Sequence, residues 1–591
     1  AYPTDQQPNG SGTFNFTDGS TGLQGLASGN SMASFLLGEV GSGSAGFYSL
    51  PKFYPQAYAF GFFAGDTWKA TSKLSVTLGL RWDVYTPSTE ASDKTSFFDP
   101  SGLNPGAGNL PGRLAFAGTN YGAASYGSSH PEDTYYKAFG PRVGFAYSLT
   151  DKTVIRSGYG IFYEQAFYPG WNAGIATDGF NETVTFNSSL GGIQPAFLLQ
   201  DGFPQNFTKP PFLNSSFLNG QNAPNYRPKD ANQLPYGQQW NLTVEHQITK
   251  DFYVAVAYVG NKGTRLVSQI NPINALNPSL LSLGNRLNDQ FTPGQTSLDG
   301  VSIPYAGWVQ QMTGCAPTVA QALLPYPQYC GNIYGQNENV GNSTYHSLQI
   351  KAEKRYSSGF YFLAAYTFSK TLTDADSAQS SQGAVYAISP FQQSRDKSLS
   401  NVDTPNVLAL STAYQLPFGK GKRFLNEGGV LDAVAGGWEV TGIFHANSGQ
   451  PLSFRSGYCN VPGQFAAACI PSILPGSNVY AQSQSSFNPN TPLFNVNAFQ
   501  PVDTFNFDFG EGPRVSNVRG FGYTNLDFGI TKTIRYRERY AIEIRGEAFN
   551  VLNEHSFQSN FTTDISSPGF GLWNGSVTAP RNLQVGGKIT F

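Results

Sequence analysis

Residues 74–84 read LSVTLGLRWDV, in which Leu74, Val76, Leu78, Leu80, Trp82 and Val84 alternate with Ser75, Thr77, Gly79, Arg81 and Asp83. A period of two puts the two sets on opposite faces of a β-strand. One face is apolar and the other carries an ion pair's worth of charge. The pattern returns with Trp240, Leu242, Val244 and Ile248 against Asn241, Thr243, Glu245 and Gln247, and with Leu348, Ile350 and Ala352 against Gln349, Lys351, Glu353 and Arg355. It returns again with Leu526, Phe528 and Ile530 against Asn525, Asp527 and Thr531, and with Tyr540, Ile542 and Ile544 against Glu543, Arg545 and Glu547.

Working outward, about fourteen such segments are predicted, near residues 12–18, 56–69, 73–86, 138–149, 153–165, 236–249, 251–263, 343–356, 359–371, 405–417, 436–448, 523–536, 539–552 and 580–591. Their connections alternate in length. Those at 70–72, 150–152, 250, 357–358 and 537–538 are tight, those at about 87–137, 166–235, 264–342, 372–404, 449–522 and 553–579 are long, and 418–435 is intermediate. Antiparallel strands crossing a bilayer between a turn side and a loop side produce this parity, whereas a soluble sandwich has no reason to obey it. Backbone groups in hydrocarbon must all be paired, so such a sheet crosses as a barrel with lipid outside and water or a plug inside. The fold class is therefore all-β, a transmembrane antiparallel β-barrel with short periplasmic turns and long extracellular loops, and residues 1–591 form one barrel domain.

Composition agrees. Charged residues make up 13% of the 591, about half the usual share, while 66 Gly, 32 Tyr and 46 Phe favour strands and turns over helices. No run of 18 or more apolar residues is present to form a membrane-spanning helix. A net charge of −2 without a basic tract excludes a nucleic-acid partner. The opening AYPTDQQPNGSG has neither the charged nor the apolar region of a secretory signal. Trp68, Trp240, Phe252, Phe360, Trp438 and Tyr540 are assigned to the aromatic girdle at the turn side.

The polar faces place Arg81, Asp83, Glu245, Lys351, Glu353, Arg355, Asp527, Glu543, Arg545 and Glu547 toward the lumen. Two readings stand: they hold a plug or line a polar path, or they form a solvated wall with ion pairs across neighbouring strands. All four cysteines fall in long loops, and pairing within each loop joins Cys315 to Cys330 and Cys459 to Cys469. Neither pair has metal-ligand spacing with a histidine nearby. Asp374 and Asp376 of TLTDADS offer two carboxylates to calcium, but the stretch lacks the Gly and terminal Glu of a calcium loop, so no metal is expected. His130, His246, His346, His445 and His555 are scattered. With no HExxH, GxSxG or phosphate-binding loop, neither an enzyme nor a cofactor is expected. Loop stretches such as YPGWNAGIATDGFNETVTFN and YAGWVQQMTGC suit polar ligands met by hydrogen bonds and ring stacking, for example sugars or peptides. They equally suit a flexible, solvated surface loop.

Nine blocks, in order along the chain, resemble the barrel of TonB-dependent outer-membrane transporters, in particular the Oar-like branch that carries a carboxypeptidase-regulatory-like domain. They are SFLLGEV, FGFFAGDTWKATSKLSVTLGLRWDVYTP, FGPRVGFAYSLTDKTVIRSGYGIFYEQ, YGQQWNLTVEHQITKDFYVAVAYVGNKGTRL, STYHSLQIKAEKRYSSGFYFLAAYTFSKTLTDADS, TAYQLPFGKGKRF, GGWEVTGIFHANSGQPLSF, TNLDFGITKTIRYRERYAIEIRGEAFNVLNEHSF and PRNLQVGGKITF. The resemblance implies a 22-stranded barrel with an N-terminal plug and a TonB box, of which about eight strands, the plug and the regulatory-like domain are not seen in this chain. It further implies an outer-membrane receptor and transporter of a Gram-negative cell, whose extracellular loops capture a ligand, an oligosaccharide or peptide among others, for uptake energised by the TonB complex. The ending with Val585, Ile589 and Phe591 resembles the signal read by the outer-membrane assembly machinery. The alternatives are a surface adhesin, or a structural or porin-like barrel without active transport.

Overall fold

The computed structural model describes every residue except 1–3, 6–10, 24–27, 51, 165–175, 337, 377–387, 428, 458, 460, 463–468, 503–506, 508–509 and 537–539. Its dominant element is a fourteen-stranded antiparallel sheet. Thirteen strands follow one another as an up-and-down meander: β1 Ala59–Lys69, β2 Leu74–Tyr85, β3 Ala138–Thr150, β4 Thr153–Tyr163, β5 Tyr236–Thr249, β6 Phe252–Val267, β7 Asn339–Ser357, β8 Phe360–Thr373, β9 Asn406–Gln415, β10 Trp438–Asn447, β11 Tyr523–Tyr536, β12 Tyr540–Phe549 and β13 Asn582–Thr590. The fourteenth, Ser398–Leu399, pairs beside the end of β8. Turn chemistry fixes the tight ends: between β7 and β8, Ser358 and Gly359 both have positive φ, 50° and 79°, as a two-residue hairpin twisted to match its strands requires. The 537–538 turn lies outside the described residues.

Residues directly opposite in the ladder share a face, so the register can be followed across the wall. Leu74, Tyr147, Ile155, Val244, Val256, Ile350, Tyr366, Leu408, Ala446 and Thr524 form one continuous row through ten strands. The row starts at the turn end of β2 and finishes at the loop end of β11. That drift is the stagger that a tilted, barrel-forming wall needs. The apolar faces have no protein partner in mid-strand: Leu78, Leu80, Leu242, Val244, Leu348 and Ile350 are all exposed. On the turn side Trp68, Phe252, Phe360, Trp438 and Tyr540 fall on this same face, close to the strand ends.

Three expectations are corrected. The segment 12–18 is not part of the wall: Thr13–Asn15 joins a separate three-stranded sheet with Ser42–Tyr48 and Asn181–Asn187, on the loop side. Its alternation is genuine, but the period alone does not say which sheet a strand enters. Trp240 belongs to the loop-side girdle, because β5 starts at Tyr236 and its short turn follows Thr249. That upper band also holds Phe62, Trp82 and Phe139, stacked in series with ring centroids 5.7 Å apart at each step. Finally, β6 and β7 run past their expected loop-side ends, to Val267 and from Asn339, because their backbones go on pairing through 264–267 and 339–342.

The two faces make opposite predictions for adjacent residues at mid-height of β7. Leu348→Arg is expected to destabilise the folded barrel by about 2–4 kcal/mol and Gln349→Arg by close to zero, as read from denaturant unfolding in lipid vesicles.

Candidate functional site

The charges on the polar face of the wall are mostly paired along a strand. Arg81 meets Asp83 at 2.8 Å, Lys351 meets Glu353 at 2.8 Å and Arg545 meets Glu543 at 3.3 Å. Residues two apart lie on the same face, within reach of a long side chain. Arg156 and Glu245, at 3.4 Å, pair between neighbouring strands. Asp527 accepts from the Asn525 amide and the Asn550 backbone, each at 2.9 Å. Arg355 borders a cleft at the turn side with Glu245, Lys250 and Tyr253, and Glu547 stands opposite Gln584. Val585 and Phe591 lie on the edge strand or at its end, 82% and 84% exposed, with Ile589 on the same outward face.

The buried cores lie in the long loops, joined by Leu50 from the segment before β1. A wall with lipid on one side and lumen on the other has no protein interior, so apolar burial is available only where loops pack on loops. The largest core is built on 276–330, with Trp308 fully buried and donating Nε1–H to the Pro327 carbonyl at 2.9 Å. Ala107 and Phe507 enter it from two other loops. Within the stretch YAGWVQQMTGC, Tyr305, Trp308, Val309 and Met312 are buried in this core, while Ala306, Gly307, Gln310, Thr313 and Gly314 remain exposed. A second core unites Phe454, Phe494 and Phe499 with Phe561 and Phe570 from the last loop. The ring of Phe98 is enclosed edge-on by Tyr226, Tyr326 and Tyr329.

Polar contacts tie the loops into one layer. Arg227 bonds the Glu132 carboxylate at 2.5 Å and the Ser88 carbonyl at 2.8 Å, fully buried. Arg519 donates to Asp403 at 2.5 Å. Arg514 donates to Asp376 at 3.1 Å, and Asp376 also accepts from the Ser400 hydroxyl and the Asn401 backbone. Asp374 accepts from the Asn342 backbone. Asp376 thus staples two loops, and Asp374 ties the loop-side end of β8 to β7. Cys315 is bonded to Cys330 and Cys459 to Cys469, with Cα separations of 5.9 and 5.7 Å. No cluster of metal-ligating side chains occurs among the described residues.

Glu338 and Asp396 are among the loop carboxyls that burial holds toward their neutral form. Burial pushes Glu338 up to about 8, against the opposing hydrogen bonds of Asn271 and the Gly335 backbone. Burial likewise pushes Asp396 up to about 6, although it accepts the Ile388 N–H at 2.8 Å.

At the rim where the last two loops leave the wall, a cleft of about 620 Å³ opens between 484–487, 521–522 and 553–557. Its floor is aromatic: Phe487 lies 4.7 Å from Phe521 and 5.0 Å from Phe557, and the His555 ring packs 5.4 Å from Phe557. Its edges are Gln484, Ser485, Ser486, Asn553, Glu554 and Ser556. Half-buried rings flanked by amides, hydroxyls and a carboxylate suit a flat polar ligand that stacks and hydrogen-bonds, and the volume is that of a small-molecule site. The sequence reading missed this cleft because its two halves lie some thirty to seventy residues apart. The run NEHSF was the available signal.

The sequence model of a family described as "Outer membrane beta barrel domain" matches residues 2–584. No curated protein matches. Similar solved structures include the Pseudomonas aeruginosa FpvA receptor bound to a heterologous pyoverdine (11% identity, TM-score 0.37, covering 91% of this chain and 39% of that one). They also include BauA, the ferric preacinetobactin receptor of Acinetobacter baumannii (11%, 0.37, 92% and 44%), and the Escherichia coli outer-membrane transporter YddB (10%, 0.37, 92% and 55%). The chain spans less than two thirds of the length of each.

Two outcomes are expected of the loop layer. Closing fifteen residues, the Cys315–Cys330 bond is worth about 3 kcal/mol, so Cys315→Ser with Cys330→Ser should expose 276–330 to protease while the heat-modifiable gel mobility of the wall persists. Glu338 and Asp396 bind protons more tightly folded than unfolded, so their contribution is full at low pH and is lost as pH rises from the ordinary carboxylate range through about 6 and 8. Protease cleavage near Lys397 should therefore be faster at high pH, and Glu338→Gln with Asp396→Asn should flatten that dependence.

Proposed function

The chain belongs to the outer membrane β-barrel domain family, and from that premise we propose that it is an outer-membrane receptor whose cross-linked extracellular loops hold a polar ligand for uptake. The observation that carries the reading is the loop layer. Loops that share cores and ion pairs, two of them closed internally by a disulfide, form a preformed scaffold, and a preformed site spares a ligand the ordering entropy that mobile loops would exact. The Phe487–Phe521–Phe557 cleft is the proposed capture point. Its ring floor and hydroxyl and amide edges favour an oligosaccharide, with a peptide as the second choice.

Energised uptake through the TonB complex rests on the resemblance of the nine sequence blocks. Among the described residues β1 and β13 stand at the two ends of the sheet order, which is compatible with the same view, since a wall in lipid has its backbone groups paired. We propose a 22-stranded barrel, of the Oar-like branch, filled by a plug.

The test is a fluorescent oligosaccharide panel applied to the full-length protein in vesicles and in cells. Binding should weaken about tenfold in His555→Ala combined with Glu554→Gln, both exposed positions, through loss of stacking and one charged hydrogen bond. Accumulation inside cells should stop when TonB is deleted, while surface binding continues. Binding without TonB-dependent accumulation would favour an adhesin.

A further inference from the structure

The intermediate link 416–437, between β9 and β10, is not needed to turn the chain. Tight turns do that elsewhere on the same side in two to four residues. It carries a short helix, α1, Gly429–Ala435, preceded by the basic and aromatic run FGKGKRFL, residues 418–425.

Lys532 fixes where the helix sits. On β11 it shares the outward face with Ile530 and Ile534, standing opposite Trp438 on β10 and Ile544 on β12. Its ammonium donates to the Val434 carbonyl in the last turn of α1 at 3.3 Å and to the carbonyl of Gly436 just beyond it, at the end where a helix is electronegative. Its nitrogen also stands 5.5 Å from the ring of Trp438, and the Trp438 indole N–H donates to the same Val434 carbonyl at 2.9 Å. The C-terminal end of α1 is thereby tied to the lipid-facing side of the wall at the turn-side girdle.

The helix is two-sided. Asp432 accepts the Lys420 backbone N–H at 2.7 Å, which turns it toward the link. Val430, Leu431 and Val434, spaced to share a face, are 81%, 66% and 67% exposed. Phe418, Phe424 and Leu425 are exposed beside them, with the two rings 5.8 Å apart and the Arg423 guanidinium 5.4 Å from the ring of Phe424. Apolar groups on one side with exposed Lys420 and Arg423 nearby are the composition of a segment lying in the headgroup boundary. Glu427 is the acidic residue of the link besides Asp432. The apolar patch continues the outward face of the wall, already a lipid surface.

We propose that α1 and the turn before it are an interfacial anchor that docks on the periplasmic leaflet of the outer membrane, burying Val430, Leu431 and Val434 in lipid and taking anionic phospholipid headgroups at Lys420 and Arg423. The described cysteines are all disulfide-bonded, so a nitroxide placed at Leu431→Cys or Ala433→Cys in the full-length protein reports one position. Reconstitution uses phosphatidylcholine vesicles with and without phosphatidylglycerol, and heat-modifiable mobility confirms a folded wall. The ratio of oxygen to nickel-chelate collisions should be roughly fivefold higher at 431 than at 433. Phosphatidylglycerol should raise it further at 431, and Lys420→Gln with Arg423→Gln should remove that increment. Equal water access at 431 and 433 in both vesicles would overturn the anchor. A depth at 431 indifferent both to phosphatidylglycerol and to the double variant would overturn headgroup capture.

Discussion

Every backbone N–H and C=O that enters hydrocarbon must have a partner, and the rest of the molecule follows from that requirement. Twelve consecutive antiparallel pairings satisfy it across the meander. Because pairing also fixes which residues stand opposite one another, the alternation that begins at Leu74 is carried strand by strand into one outward row reaching Thr524. A slip of one residue anywhere would turn an apolar face into the lumen and a charged one into lipid. The wall therefore gains its accuracy from the solvent on its two sides and not from a packed interior.

With no interior in the wall, the chain builds its interior above it. The side chains that in a soluble protein would fill a sandwich are here Trp308, Tyr329, Phe97, Phe98 and Phe494, all in loops and all fully buried. Disulfides supplement these small cores, whose surface-to-volume ratio is unfavourable. Arg227, Arg514 and Arg519 complete the layer by reaching between loops to carboxylates and carbonyls. The guanidinium's several donors suit such junctions better than an ammonium.

The wall was legible in the sequence because its signal is local: period two, turn residues and the parity of link lengths all lie within a few residues of where they act. Thirteen segments and the outward placement of Leu242 and Leu348 could be read directly. The loop layer was not, for a physical reason. Trp308 packs with residues such as Ala107 and Phe507, some two hundred positions away on either side, and no periodicity connects them. Asp376 likewise pairs with Arg514 from a different loop, a partner that no local pattern connects to it. The rim cleft escaped notice for the same reason, and so did the reach of Lys532 to α1.

The enclosure of Phe98 by Tyr226, Tyr326 and Tyr329 has an evolutionary consequence. Surface loops usually drift independently, each free to lengthen or change composition. Here the first loop supplies the ring and the second and third supply the tyrosines around it, so a volume change at 98 has to be answered in two other segments of the chain. Packing of this kind couples substitutions in these loops, so a new ligand preference would arise through coordinated change in several loops, or at peripheral positions such as His555 and Gln484 that lie outside the buried cores.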